Sequence, residues 1–325
     1  MYMPRSSVSE PFLVRPFRDE DLPEVLEVLR LSLGEPPGLT RNEALFGWKH
    51  FDNPFGRSLM LVAEEDGRIA GFRAFMRWDL VAPNGYILRC VRAVDTATHP
   101  DFQRRGIFRL LTLAGIDLAQ EQGIDLIFNT PNQKSGAGYL TMGWHKVGTI
   151  GVMMRPGLGL LRWKRRQQPE APTAAELSLS AADRTAALAF AARAATGLRT
   201  PRTAQYLRWR FESHPTSRYV LATSPNGVAV GRVHNRNGRR ELVISDLAGR
   251  GSHKAASQLR AATRPDYTVT WFSPGLAERQ WAIRGGMLPV PGLKALTLMA
   301  RPLRDLPVDL AWNNWDFSIG DLELL

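Results

Sequence analysis

The sequence predicts an α/β (α+β) protein with a mixed central sheet flanked by helices, built twice in tandem. Three observations carry that expectation. The strand leading to Val94 is followed by a basic turn, Gln103-Arg104-Arg105-Gly106, after which Ile107, Leu110, Leu111, Ala114 and Leu118 fall at helical spacing until Gly123. One strand, two helices and an antiparallel meander precede that unit. The back half then repeats landmarks of the front half in the same order.

In order, Phe12–Phe17 reads as the first strand, and Asp19-Glu20-Asp21 opens a helix with acids at the positive end of its dipole. Leu22, Val25, Leu26, Leu29 and Leu33 hold the helical period to Gly34, and Pro36-Pro37-Gly38 breaks it. A second helix carries Leu45, Phe46, Trp48 and Lys49 up to Asn53-Pro54. Strands Leu59–Ala63 and Ile69–Phe75 flank a turn at Asp66-Gly67, then Leu80–Ala82 turns at Pro83-Asn84-Gly85 into the strand ending at Val94. After the basic turn and its helix comes the strand Ile124–Phe128. From Met153 to about Ser178 the pattern dissolves into Arg162-Trp163-Lys164-Arg165-Arg166 and a Gln/Pro/Ala-rich tract, which reads as a linker.

The repeat rests on spacing. Trp48 to Pro54 spans six positions, as does Trp209 to Pro215, and Pro131 to Gly143 spans twelve, as does Pro274 to Gly286. Ala63, Gly67 and Gly71 line up with Ala222, Gly227 and Gly231. The expected division is therefore 1–155 as a catalytic domain, 156–178 as a basic, Pro-rich linker, 179–302 as a degenerate copy, and 303–325 as an acidic, aromatic tail. The copy lacks the Gln-x-x-Gly turn and has Ala282 where the first has Tyr139, so it is expected to pack, to close over an acceptor or to carry positive surface.

Composition bounds the classes. At 325 residues, 44% hydrophobic and 22% charged, the chain is long enough for two globular cores. No apolar run reaches membrane-spanning length and no signal-peptide core follows the N-terminus, so a cytoplasmic protein without a transmembrane segment is expected. Cys90 stands alone in an apolar strand and is expected to be a buried thiol; no Cys/His cluster has zinc spacing, so no metal is expected. Residues 156–302 hold 23 Lys+Arg against 8 Asp+Glu, while 1–155 balance at 18 and 18, so the middle block is the one that would attract an anionic partner. Walker-type, dinucleotide-binding and serine-hydrolase motifs are missing.

The basic turn is the chemical centre. Free backbone N–H groups at a helix N-terminus make an anion socket, Gly106 leaves room for a phosphate, and Arg104 and Arg105 add attraction. Downstream stands Asn132-x-x-Ser135-x-x-Gly138-Tyr139-x-x-x-Gly143-Trp144. Together the two segments resemble the acyl-CoA-binding motifs of the Gcn5-related N-acetyltransferase (GNAT) superfamily. Gln103, Gly106, Asn132, Tyr139, Gly143 and Trp144 sit in register, with Phe108 as a departure where that family usually has Gly or Ala.

The resemblance implies acetyl-CoA, or another acyl-CoA, as co-substrate and a primary amine on a small molecule or amino sugar, possibly anionic, as acceptor. It implies that Gln103, Arg104, Arg105, Gly106, Ile107 and Phe108 hold the pyrophosphate. Backbone N–H groups of Thr96, Ala97 and Thr98 would hold pantetheine and the carbonyl. Asn132, with Ser135, would hold the amide arm or cap the helix. Tyr139 would be the general acid: a phenol with a reference pKa of ~10 stays protonated at neutral pH, and a thiolate leaving at ~8.5 can accept its proton. Asp95 is the best-placed carboxylate for a general base, or it orients the acceptor or balances Arg92; His99 is expected to cap its turn. The competing readings are an aminoacyl-tRNA-dependent transferase of the peptidoglycan-bridge type, which the pyrophosphate turn argues against, and a non-catalytic module holding acyl-CoA or nucleic acid.

Overall fold

The computed structural model describes residues 12–35, 40–157, 196–290 and 296–322. The Pro36–Gly38 break, the basic run Arg162–Arg166 and most of the expected linker lie outside the described residues. Among those described, the strands form two large sheets and one two-stranded ribbon made of β4 (Leu80–Val81) and β5 (Ile87–Leu88).

The first sheet draws on β1 (Leu13–Pro16), β2 (Leu59–Glu65), β3 (Arg68–Arg77), β6 (Cys90–Thr98), β7 (Leu126–Asn129), β8 (His145–Ile150) and a late strand, β15 (Leu296–Pro302). Its order is β1-β2-β3-β6-β7-β15-β8. The second sheet uses β9 (Met153–Pro156), β10 (Tyr219–Ser224), β11 (Gly227–Arg236), β12 (Arg239–Ala248), β13 (Tyr267–Thr270) and β14 (Leu288–Pro289), in the order β10-β11-β12-β13-β9-β14. In both, an antiparallel meander leads to one parallel pair, β6 with β7 and β12 with β13.

Each sheet is completed by a strand from the other half of the chain. β15 lies between β7 and β8, with Ala300 opposite both Phe128 and His145. β9 lies between β13 and β14, with Met154 opposite both Val269 and Leu288. Met153–Pro156 is thus a strand rather than the start of a linker. Four residues are too few to show a period, and their pairing partners lie more than a hundred residues away.

The exchanged strands also bring matching arginines. Arg155 donates to the carbonyl of Gly285 at 2.5 Å, and Arg301 donates to the carbonyl of Met142. Both carbonyls close helices, α7 (Ala277–Arg284) and α4 (Gln133–Thr141), where a cation offsets the negative end of the dipole. The next turn in each case passes through a left-handed glycine, Gly286 at φ 82° and Gly143 at φ 89°.

Helices cover the sheet faces. α1 (Leu22–Leu33) and α2 (Glu43–His50) lay Val25, Leu29 and Phe46 against Phe72 and Ala74 on one face of the first sheet. On the opposite face α3 (Ile107–Glu121) and α4 bring Ile116, Tyr139 and Met142 onto Phe75, Val91 and Ile127. After the short helix α5 (Ala204–Leu207), α6 (Ser252–Thr263) and α7 cover the second sheet with Ala255, Ala256, Leu259 and Ala282. Fully burying a large apolar side chain contributes roughly 1.5–3 kcal/mol, so these faces carry most of the fold's stability.

The largest apolar cluster joins the two halves. Trp48 and Trp209 stack at 4.8 Å with their planes 12° apart, and each indole donates to the other's backbone carbonyl at 2.8 Å. The tail enters the same cluster: Trp315 and Phe317 are fully buried, and Arg92 donates to the carbonyls of Asp321 at 2.9 Å and Leu322 at 2.5 Å. It folds back between the sheets. Cys90 is buried at the same junction, and burial pushes its thiol well above the usual range. Among the described residues no helix is long and apolar enough to cross a membrane.

Candidate active site

β6 pairs with β3 out to Thr98 but with β7 only over Cys90–Arg92. From Ala93 to Thr98 its β7-facing edge has no strand partner among the described residues, which leaves a wedge of backbone polar groups beside the end of β7. Within this stretch the ladder slips: Phe72 faces Ala97, Ala74 faces Val94, and Asp95 and Thr96 together oppose Arg73. Asp95 takes the left-handed conformation, φ 44°. Such a bulge re-aims the side chains around it.

The two catalytic candidates consequently sit on opposite faces. Tyr139, on α4, is 3% exposed, and its hydroxyl accepts a hydrogen bond from Arg73 Nη1 at 2.8 Å; the same nitrogen donates to Thr96 Oγ1 at 2.7 Å. Phe108 meets the Tyr139 ring edge-on at 5.3 Å. Its bulk is accommodated by Gly138, where a Cβ would stand 2.9 Å from the Phe108 ring. The aromatic departure at 108 is therefore matched by a small residue across from it.

Asp95 faces α2 instead. Lys49 Nζ lies 2.7 Å from its Oδ2, His50 Nε2 3.0 Å, and Arg41 3.6 Å from Oδ1. Burial opposes ionisation of this carboxyl, but Lys49 and the His50 N–H outweigh it and hold the group far below the usual carboxylate range. His50 is fully buried, which lowers its pKa from 6.5, so it is neutral. With Asp95 ionised the imidazole gives it the Nε2 proton and accepts the Ser58 hydroxyl at Nδ1, 2.9 Å away. A carboxylate so strongly stabilised is a poor proton acceptor. Its environment favours orienting over base chemistry.

The basic turn has the expected form. His99 accepts the Asp101 N–H, capping the short turn Pro100–Phe102, and Gln103 closes it. Arg104 (φ 63°) and Gly106 (φ 83°) then swing the chain into α3, and a Cβ on Gly106 would meet nothing within 4 Å. Among the described residues the N–H groups of Arg104 and Gly106 make no backbone hydrogen bond. Open space over unbonded donors at a helix N-terminus fits a diphosphate. Arg105 is engaged: it forks onto Glu65 at 2.7 and 2.5 Å and lies 4.4 Å over the Phe12 ring. Ile107 is buried under the turn, and Arg104 stays exposed. Asn132 caps α4 by accepting the Ser135 N–H at 2.9 Å, and Ser135 Oγ–H returns to Asn132 Oδ1 at 3.1 Å. Thr98 pairs with Gly71, and Ala97 is buried.

Sequence reasoning passed over Arg73 and His50. Arg73 had a signal: a single charge inside the apolar run Phe72, Ala74, Phe75, Met76.

Residues 13–147 match the family model of the acetyltransferase (GNAT) domain. The mycothiol acetyltransferase of Rhodococcus jostii is 29% identical over 140 residues, covering 35% of this chain and 45% of that protein. The chain thus matches under half the length of that relative. Solved structures similar over most of the chain are a GCN5-related N-acetyltransferase from Anabaena variabilis (TM-score 0.62, 14% identical) and Eis1 from Mycobacterium abscessus (TM-score 0.55, 15% identical). Each similarity covers 90% of this chain and 73% of the other, and at such identity it shows the fold.

Proposed function

We propose that this protein transfers an acetyl group, or another acyl group, from acyl-CoA to a primary amine on a small molecule or amino sugar. The open glycine turn ahead of α3 carries the reading, because it offers unbonded N–H groups and free space where a diphosphate would bind. The free edge of β6 from Ala93 to Thr98 would align pantetheine and polarise the thioester carbonyl with its N–H groups. The amine attacks the carbonyl carbon and the C–S bond breaks with its electron pair on sulfur. Tyr139 O–H then supplies the proton that makes the thiol. The amine's own proton leaves through water, and Asp95, Lys49 and Arg41 shape the acceptor side. Lys49 and Arg41 suit an acceptor that carries negative charge.

Residues 179–302 are read as a degenerate second copy. The parallel orders of the two sheets, the Trp48–Trp209 pair and the matching Arg155 and Arg301 caps support this. Its role would be to supply β15 and to wall the acceptor cleft.

The test is calorimetry of acetyl-CoA binding to the wild type and to Gly106→Val, followed by mass spectrometry of acetyl-CoA incubated with a panel of primary amines. The expected result is binding that the valine weakens at least about tenfold, with acetylated products from the wild type. Equal affinity in both proteins would place the cofactor elsewhere.

A further inference from the structure

Three arginine side chains almost shut off from solvent show what this fold does with a guanidinium, and one of them breaks the pattern. Arg92 is held by two backbone carbonyls, and Arg202 is clamped between Asp246 at 2.8 Å and Asp321 at 2.7 Å. Arg73 is fully buried, yet its Nε and Nη2 meet no acceptor. Among the described residues no carboxylate lies within ion-pair distance of it. Around it stand rings: Phe75 at 4.5 Å, Tyr139 at 5.4 Å and Phe108 at 5.9 Å from the guanidinium carbon. Only Nη1 is used, shared between Thr96 Oγ1 and the Tyr139 hydroxyl. A buried cation with two orphaned donors is costly, and a purely structural side chain would not be kept in that state without a partner that appears at some stage.

We propose that Arg73 is a positioning residue for the acid step, acting through Tyr139; this rests on the acyltransferase reading above. Because Nη1–H donates into a lone pair of the Tyr139 oxygen, the phenol's own hydrogen must point away from the guanidinium. Delivery of that proton requires it to face the open wedge beside β6. When the C–S bond breaks and the phenol proton passes to sulfur, the charge left on the phenol oxygen lies against a cation fixed in advance, with no solvent to reorganise. Nε and Nη2 stand ready for the negative charge that develops nearby. Thr96, presented by the bulge, holds the guanidinium in line, which gives the slipped register at Asp95–Thr96 a second purpose.

The experiment compares wild type, Arg73→Met, Arg73→Lys, Tyr139→Phe and the double variant Arg73→Met/Tyr139→Phe. Thiol release from acetyl-CoA is followed with glucosamine as the probe amine, and acetyl-CoA affinity and melting temperature are measured in parallel. Arg73→Met is expected to lower kcat at least about tenfold with KM for acetyl-CoA nearly unchanged, and Arg73→Lys to recover part of the loss. In the Tyr139→Phe background the same change should cost less than about twofold, because residues acting as one unit are not additive. Should Arg73→Met melt far below the wild type, Arg73→Lys in the two backgrounds carries the comparison. Full losses in both backgrounds, or a loss confined to KM, would remove Arg73 from the acid step while leaving the transferase reading intact. A wild type that binds acetyl-CoA and yields no acetylated product from any amine of the panel overturns both.

Discussion

The two halves of the chain build the same strand–turn–helix unit, and one leaves its turn open while the other plugs it. Between β6 and α3 a Cβ on Gly106 would meet nothing within 4 Å. Between β12 and α6 the turn at Gly249–Gly251 is filled by its own neighbours. Gly251 N donates to Asn226 at 3.0 Å, Ser224 Oγ donates to Gly251 at 2.7 Å, and a Cβ on Gly251 would lie 2.2 Å from the Pro225 carbonyl oxygen. The difference extends to the interior. Where the first half has Arg73, Tyr139 and His50, the repeat spacing puts Val233, Ala282 and Phe211 in the second. At these three positions the first half has polar groups, each costly to bury unless matched, and the second half has apolar ones. The lesson is that chemistry here resides in what is left unfilled.

The largest expected effect comes from removing the acid. Tyr139→Phe should reduce kcat by about 10²–10⁴-fold with acetyl-CoA affinity held, measured by steady-state kinetics and calorimetry. Full activity in that variant ends the proposed role and with it the sharpest contrast between the halves. A second test contrasts the turns. Gly251→Val should destabilise the fold by about 1–3 kcal/mol in urea melts while leaving acetyl-CoA affinity untouched. Loss of binding there would mean that the second turn, too, serves the cofactor.

The smallest effect is a titration confined to the first half. Burial holds the His50 pKa below 6.5, so the folded chain binds fewer protons than the unfolded chain just below that pH. Stability should therefore fall as pH drops from 7 through 6.5, by up to about 1.4 kcal/mol per pH unit. His50→Gln should flatten that slope between pH 7 and 5.5, and an unchanged slope would assign it to other groups.

Much of this was legible in the residues. The Gln103–Gly106 turn, the Asn132 cap and the equal spacing of Trp48–Pro54 and Trp209–Pro215 are local features, and local features survive in a linear string. Asp95 stood out in the residues, but its surroundings did not, because Lys49 and His50, which hold it, come from α2, more than forty residues away. The strand exchange was harder, since β9 and β15 are short and pair only at long range. A trace existed all the same: Met153-Met154-Arg155-Pro156 recurs as Met299-Ala300-Arg301-Pro302. The arginine in each is the one that caps a helix of the other half.

That exchange has a consequence for synthesis. The first sheet cannot close until Leu296–Pro302 has left the ribosome, more than a hundred residues after β8. Domains usually fold in order as they emerge, but here β7 and β8 must wait with unpaired edges for a strand that arrives late. A gene fragment cut after β8 would therefore yield a half-sheet prone to stick to its own kind. Supplying the second half as a separate polypeptide should rescue it.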